Sequence, residues 1–80
     1  MNIQNTMNLM KDHDQVQVHN RIYETRIDLD LTQEKLSKKI GVSRQTIIAI
    51  EKGNYIPSVL LALKLAKFFK KSVETLFYLT

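Results

Sequence analysis

The sequence predicts an all-α fold, a compact bundle of five short helices. Three observations predict it. Asn20, Thr32, Ser43 and Ser72 each stand just before a segment with helical apolar spacing, where a short polar side chain can cap free backbone N–H groups. Gly41 and Gly53 stand just after two of these segments, where a residue without Cβ takes a positive φ cheaply. Strand-like patterning is confined to Gln15-Val16-Gln17-Val18 and the C-terminal stretch.

In chain order, residues 1–19 show no helical periodicity and are expected to form a flexible tail or a short strand. The folded domain is expected over residues 20–80. Asn20 caps a first helix over 21–28, with Ile22 facing inward. Asp30 falls in the next connection, where Asp tolerates a left-handed conformation better than most residues. Thr32 caps a second helix over 33–40, although Lys35 stands where Glu or Gln would complete a capping box. Gly41 ends that helix, Ser43 caps a third over 44–52, and Gly53 closes it. Pro57 and Ser58 open a fourth over 58–69, and Ser72 caps a fifth over 73–78. On the fourth helix, Val59, Ala62, Leu63, Ala66 and Phe69 form the expected inward arc. Leu60, Leu61 and Phe68 fall outside that arc, with Leu61 expected under the fifth helix.

Composition limits the function classes. Hydrophobic residues make up 44% of the chain and charged residues 25%, ordinary for one soluble domain. No apolar run is long enough to span a bilayer, and the polar N-terminus does not resemble a signal peptide. The absence of cysteine excludes disulfides and thiolate metal sites, and a cytoplasmic, nucleoid-associated protein is expected. Residues 1–30 carry three cations against five carboxylates, whereas residues 31–80 carry nine against three, so the net charge of +4 comes from the second segment. A basic segment attracts polyanions such as nucleic acid. His13, between Asp12 and Asp14, and His19 lack the setting of a metal site, and no catalytic constellation or phosphate-cradling glycine loop is present. Neither an enzyme nor a cofactor is expected, and neither a membrane nor a small-molecule substrate.

The sharpest signal is the run over residues 33–52. Two helices crossing steeply over a three-residue turn need Leu36 and Ile40 pointing inward from the first. They also need Val42 plugging the turn, and Ile47 and Ile50 pointing inward from the second. A small residue, Ser37, suits the closest approach, and Gly41 suits the sharp corner. The whole set at this spacing is a helix-turn-helix.

This stretch resembles the Cro/cI-like, or XRE-type, helix-turn-helix family. The likeness covers residues 20–79. It includes Leu31-Thr32-Gln33, the run Gly41-Val42-Ser43-Arg44-Gln45-Thr46-Ile47, and Ile50-Glu51. Tyr55-Ile56-Pro57-Ser58, Leu61-Ala62-Leu63-Lys64-Leu65-Ala66 and Val73-Glu74-Thr75-Leu76-Phe77 belong to the same pattern. The resemblance implies a DNA-binding domain whose third helix enters the major groove, usually as a dimer on a palindromic site. It also implies a buried charged pair between Arg26 and Glu51. Three positions depart from the pattern: Thr25 replaces a usual leucine, and Ile27 and Leu29 stand where charges are common.

The residues can be read on their own as well. At about 100° per residue, Arg44, Ile48, Lys52, Gln45 and Ala49 fall within about 140° of one another, opposite Ile47 and Ile50. Gln45 can pair with adenine, and Arg44 with guanine or with a phosphate, while Ile48 and Ala49 suit thymine methyls. These four are the expected base readers. Gln33, at a helix N-terminus, joins Ser43, Lys52 and Asn54 as expected phosphate contacts. Lys38 and Lys39 are assigned to long-range attraction. Leu60, Phe68, Phe77, Tyr78 and Leu79 form an expected homodimer patch, and residues 16–18 could pair with the C-terminal end as a small strand at its edge.

The expected function is a sequence-specific, DNA-binding transcriptional regulator, a homodimeric repressor on a palindromic operator. The competing reading is an antitoxin-like or anti-regulator module that keeps the fold but works through a protein partner.

Overall fold

The computed structural model describes residues 16–80. The elements run β1 (Val18–Asn20), α1 (Ile22–Asp28), α2 (Gln33–Ile40), α3 (Arg44–Glu51), α4 (Val59–Phe69), α5 (Val73–Leu76) and β2 (Phe77–Leu79). Most of the expected tail, with His13, lies outside the described residues.

Among the described residues, hydroxyl caps start four of the five helices. Thr32 Oγ1 accepts from the Lys35 N–H at 3.0 Å, and Ser43 Oγ from Thr46 at 3.2 Å. Ser58 and Ser72 repeat the arrangement with Leu61 and Thr75, both at 3.1 Å. Each such cap is worth about 1 kcal/mol, which matters for helices too short to persist alone. α1 is started differently. Its cap residue, Arg21, makes no side-chain cap bond, and Asn20 Oδ1 instead accepts from the Ile22 N–H at 3.1 Å. The other half of that amide donates to the Ile50 carbonyl at 2.8 Å, fastening the chain entering α1 to the end of α3.

Every helix contributes to one core. Its fully buried members are Ile22, Leu36, Ile47, Ile50, Leu65 and Leu76, enclosed further by Ile40, Leu61, Ala66 and Phe69. Val42, Phe68, Val73 and Phe77 pack around it. The face of α4 is not the expected one. Leu61 and Leu65 point inward with Ala66 and Phe69, whereas Val59 and Leu63 are exposed. Residues 59–63 are apolar throughout, so spacing alone does not fix the phase of this helix; packing against α2 and α5 does.

The chain end also differs from expectation. The fifth helix stops at Leu76, and Phe77–Leu79 continues as β2, antiparallel to β1 with Val18 opposite Leu79, His19 opposite Tyr78 and Asn20 opposite Phe77. The N-terminal strand therefore forms two residues later than the expected 16–18, and its partner is the C-terminal end of the same chain, as expected. The Arg21 N–H extends the clasp to the Leu76 carbonyl at 2.8 Å. The His19 and Tyr78 rings stack at 5.6 Å, with the Arg21 guanidinium 4.4 Å from the Tyr78 ring centre. Among the described residues, no helix is long and apolar enough to cross a membrane.

Among the described residues, four helix ends carry a left-handed residue: Asp30 after α1, Gly41 after α2, Gly53 after α3 and Lys70 after α4. Gly41 closes α2 at φ 85°, as expected, whereas Lys70 closes α4 at φ 57°. A side chain in that region costs about 1–2 kcal/mol relative to glycine. Lys70→Gly is therefore expected to raise the free energy of unfolding by about 1 kcal/mol and Gly41→Ala to lower it by about as much, both read from urea midpoints.

Candidate nucleic-acid interface

α2 and α3 are joined by Gly41, Val42 and Ser43. Gly41 donates to the Ser37 carbonyl at 2.8 Å and Val42 to the same oxygen at 3.0 Å, so the corner is fixed by backbone bonds. Ser37 is buried, and its hydroxyl donates to the Glu34 carbonyl at 2.7 Å, so burial leaves no hydroxyl proton unpaired. Ile47 and Ile50 seat α3 in the core. The opposite side carries Arg44 and Gln45, both exposed, with Ile48 and Ala49 half-exposed and Lys52 exposed just beyond. The expected reading face is therefore brought together on one side of a held helix.

The expected phosphate-contacting residues fall at both ends of this face. Ser43 at one end shares its hydroxyl between the Thr46 N–H and the Thr46 hydroxyl, the latter at 2.9 Å. Lys52 and Asn54 stand exposed at the other end, where the Asn54 N–H is held by the Ala49 carbonyl at 2.9 Å. Gln33 lies across the cleft from Arg44. The two line it with Arg26, Thr32 and Glu34, around a volume of about 380 Å³. Neither Arg44 nor Lys52 has a carboxylate within ion-pair distance among the described residues, whereas Lys38 pairs loosely with Glu34 at 3.6 Å.

Behind this face lies a buried charged cluster. Arg26 Nε donates to Glu51 Oε2 at 2.7 Å and a terminal nitrogen donates to Oε1 at 3.0 Å, a two-point contact. The two side chains are only 7% and 6% exposed. A third guanidinium bond reaches the Leu31 carbonyl at 2.8 Å, and Gln33 Nε2 donates to Glu51 Oε1 at 3.1 Å. The bonds that Leu31 accepts from Arg26 and that Gln33 donates to Glu51 were missed in the sequence. The signal available was Gln33 in the first turn of α2, the end from which a long amide can reach the end of α3. Hydrogen bonding to Glu51 raises the Arg26 pKa above its ordinary value, against the opposing effect of burial. A raised folded-state value means that the stabilisation is complete below the ordinary arginine pKa and is lost only as pH climbs through the folded one. It therefore persists through neutral and moderately alkaline solution.

The other departures noted in the sequence resolve simply. Thr25 is buried, and its hydroxyl donates to the Arg21 carbonyl at 2.6 Å, so a polar residue sits at this core position without an unpaired group. Ile27 and Leu29 are exposed. Of the expected dimer patch, Leu60 and Leu79 are exposed and Tyr78 is partly exposed, while Phe68 and Phe77 lie against the core. No group of metal-binding side chains occurs among the described residues.

Two helices joined by a three-residue turn, with one face of the second held open by a buried charged cluster, define a helix-turn-helix protein. A helix-turn-helix family model matches residues 22–76, and the chain belongs to this family, of the XRE type. It is 67% identical over 48 residues to an HTH-type transcriptional regulator of Methanocaldococcus jannaschii, covering 60% of this chain and 73% of the relative. It is 50% identical over 60 residues to one from Bacillus subtilis, covering 75% and 91%. It is also 41% identical over 49 residues to the cryptic phage CTXphi transcriptional repressor RstR of Vibrio cholerae, covering 61% of this chain and 44% of that protein.

Breaking the cluster on one side leaves a buried charge unpaired. Arg26→Met is expected to cost about 3–5 kcal/mol in urea denaturation, because the Glu51 carboxylate then loses both guanidinium bonds.

Proposed function

We propose that this chain, a DNA-binding transcriptional regulator by family, is a repressor that binds a palindromic operator as a homodimer and occludes a promoter. One observation supports this most: α3 is fixed from behind by Ile47, Ile50 and the bonded Glu51, while Arg44 and Gln45 stand free at its N-terminal end. That end is the part of a recognition helix that reaches base edges in the major groove. Gln45 reads adenine through its paired donor and acceptor. Arg44 reads guanine or clamps the adjoining phosphate, and the half-exposed Ile48 and Ala49 meet thymine methyls.

The flanking groups take phosphates. The first turn of α2 offers backbone N–H groups beside Gln33, whose amide keeps a second N–H after bonding Glu51. Ser43, Lys52 and Asn54 grip the strand at the two ends of α3. The name of the phage relative as a repressor fits the occlusion reading, and the +6 balance of residues 31–80 supplies the attraction.

The test is a salt-dependent binding titration on the DNA upstream of the protein's own gene, with complex stoichiometry measured alongside. Affinity is expected to fall steeply with salt, by a log–log slope near 0.9 per neutralised phosphate. Gln45→Ala is expected to cost roughly 1–3 kcal/mol and relax preference at one base pair in each half-site. Lys52→Ala is expected instead to weaken all sequences alike and reduce the salt slope by about one. Binding that ignores salt and keeps its base preference without Gln45 would refute the proposal.

A further inference from the structure

We infer that the groove running along α4 beside α2 and the α2–α3 turn is a docking site for an acidic, amphipathic segment of another protein. The inference stands whether or not the chain acts as a repressor. Of the nine cations in residues 31–80, Arg44 and Lys52 stand on or beside the reading side of α3. Lys39, Lys64 and Lys67 instead gather around a cleft of about 310 Å³ between α2 and α4, lined also by the buried Ile40 and the half-buried Phe68. None of the three lysines has a carboxylate within ion-pair distance among the described residues. Lys64 and Lys67 are moreover neighbours on one helix face, where like charges repel. Such an arrangement costs the isolated domain, and carboxylates supplied from outside relieve it.

The groove continues past Lys64. That side chain also lines a second cleft, of about 270 Å³, with Val42, Thr46, Tyr55, Leu60 and Leu61. The hydroxyls here are already engaged: Thr46 Oγ1 lies 2.9 Å from Ser43 Oγ, and Ser58 Oγ accepts from the Leu61 N–H at 3.1 Å. What the second cleft offers an occupant is therefore apolar, with Tyr55 44% and Leu60 64% exposed. On α4, Leu60, Lys64, Lys67 and Phe68 fall within about 100° of arc, so apolar and cationic groups share one side of the helix. Leu60 to Phe68 spans about 12 Å, the length of roughly two turns of a partner helix. A short helix whose carboxylates flank a row of leucine or aromatic side chains fits both properties, in the helix-in-groove mode.

The apolar walls decide between polyanions. A second DNA duplex would bring phosphates for the lysines but nothing for Phe68, Tyr55 or Leu60, and the hydroxyls that could serve phosphate are taken. An acidic protein segment fills both halves of the groove. Thr46, on its α3 wall, lies about 200° around that helix from Arg44. An occupant of the groove therefore leaves Arg44 and Gln45 open, and the partner and the operator take different sides of the domain.

The test uses the full chain, with a display library of random dodecapeptides as the probe. Panning is expected to enrich peptides that combine Asp or Glu with Leu, Phe or Trp at helical spacing. Their affinity, read by fluorescence anisotropy, is expected to fall roughly tenfold in Lys64→Glu and again in Leu60→Ser, each removing one anchoring contact. Lys35→Glu makes the same change of charge on α2 outside the groove, and is expected to cost no more than about threefold through long-range attraction. All three positions are exposed, so circular dichroism is expected to be unchanged. Binding that ignores Leu60→Ser and falls alike in Lys35→Glu and Lys64→Glu would reflect net charge and overturn the groove. A library that enriches no acidic peptide would overturn it as well. A Lys64→Glu variant that loses duplex DNA but keeps its peptides would make the cleft a nucleic-acid surface, which also overturns the proposal.

Discussion

The contact on which the rest of this structure depends is the bond between Arg26 and Glu51. It joins the end of α1 to the last residue of α3, and through Leu31 and Gln33 it also fixes the connection into α2. Two charges removed from water are expensive, and their mutual attraction repays this only where the remaining hydrogen-bonding groups are also satisfied. Here a backbone carbonyl takes one guanidinium nitrogen and an amide joins a carboxylate oxygen. Apolar burial alone would hold α3 in the core yet let it roll about its axis. A two-point ionic contact at its last residue does not.

That constraint matters because the elements are short. α3 spans eight residues and α1 seven, below the length at which an isolated helix persists in water. Their order comes from caps and from long-range ties, of which the amide of Asn20 is a compact example. One side chain starts α1 and holds the α3 carbonyl of Ile50. The clasp of β1 on β2 closes the domain from the other side. Within it the His19 ring stacks on Tyr78, and its buried Nε2 has no hydrogen-bond partner among the described residues.

The helix-turn-helix itself was legible in the sequence to within a residue, because its determinants are local. A hydroxyl before each helix, a glycine at the corner and alternating polar and apolar faces leave one solution over residues 33–52. The Arg26–Glu51 pair was reachable only through resemblance, since nothing local couples residues 25 positions apart. α4 was misread for the opposite reason: with Val59 to Leu63 all apolar, every phase of the helix looks plausible. The fifth helix was extended two residues into β2, although the C-terminal stretch carried strand-like patterning, because Phe77-Tyr78-Leu79 has a strand conformation only when Val18 to Asn20 lies beside it. Gln45 and Arg44 were placed on the open face by spacing, but the hold that Glu51 keeps on Gln33 depends on a crossing angle that spacing does not encode.

α3 thus inherits its orientation from a polar cluster and its footing from isoleucines. The most direct test of this account is a double-mutant cycle between Arg26 and Glu51, using Arg26→Gln, Glu51→Gln and the pair. Stability and operator affinity would be measured on each. The account predicts a coupling of roughly 2 kcal/mol or more in stability, the upper half of the range for residues in contact, with operator affinity lost in the single variants under conditions where they remain folded. Losses that simply add, or folded single variants that bind DNA as the wild type does, would contradict it.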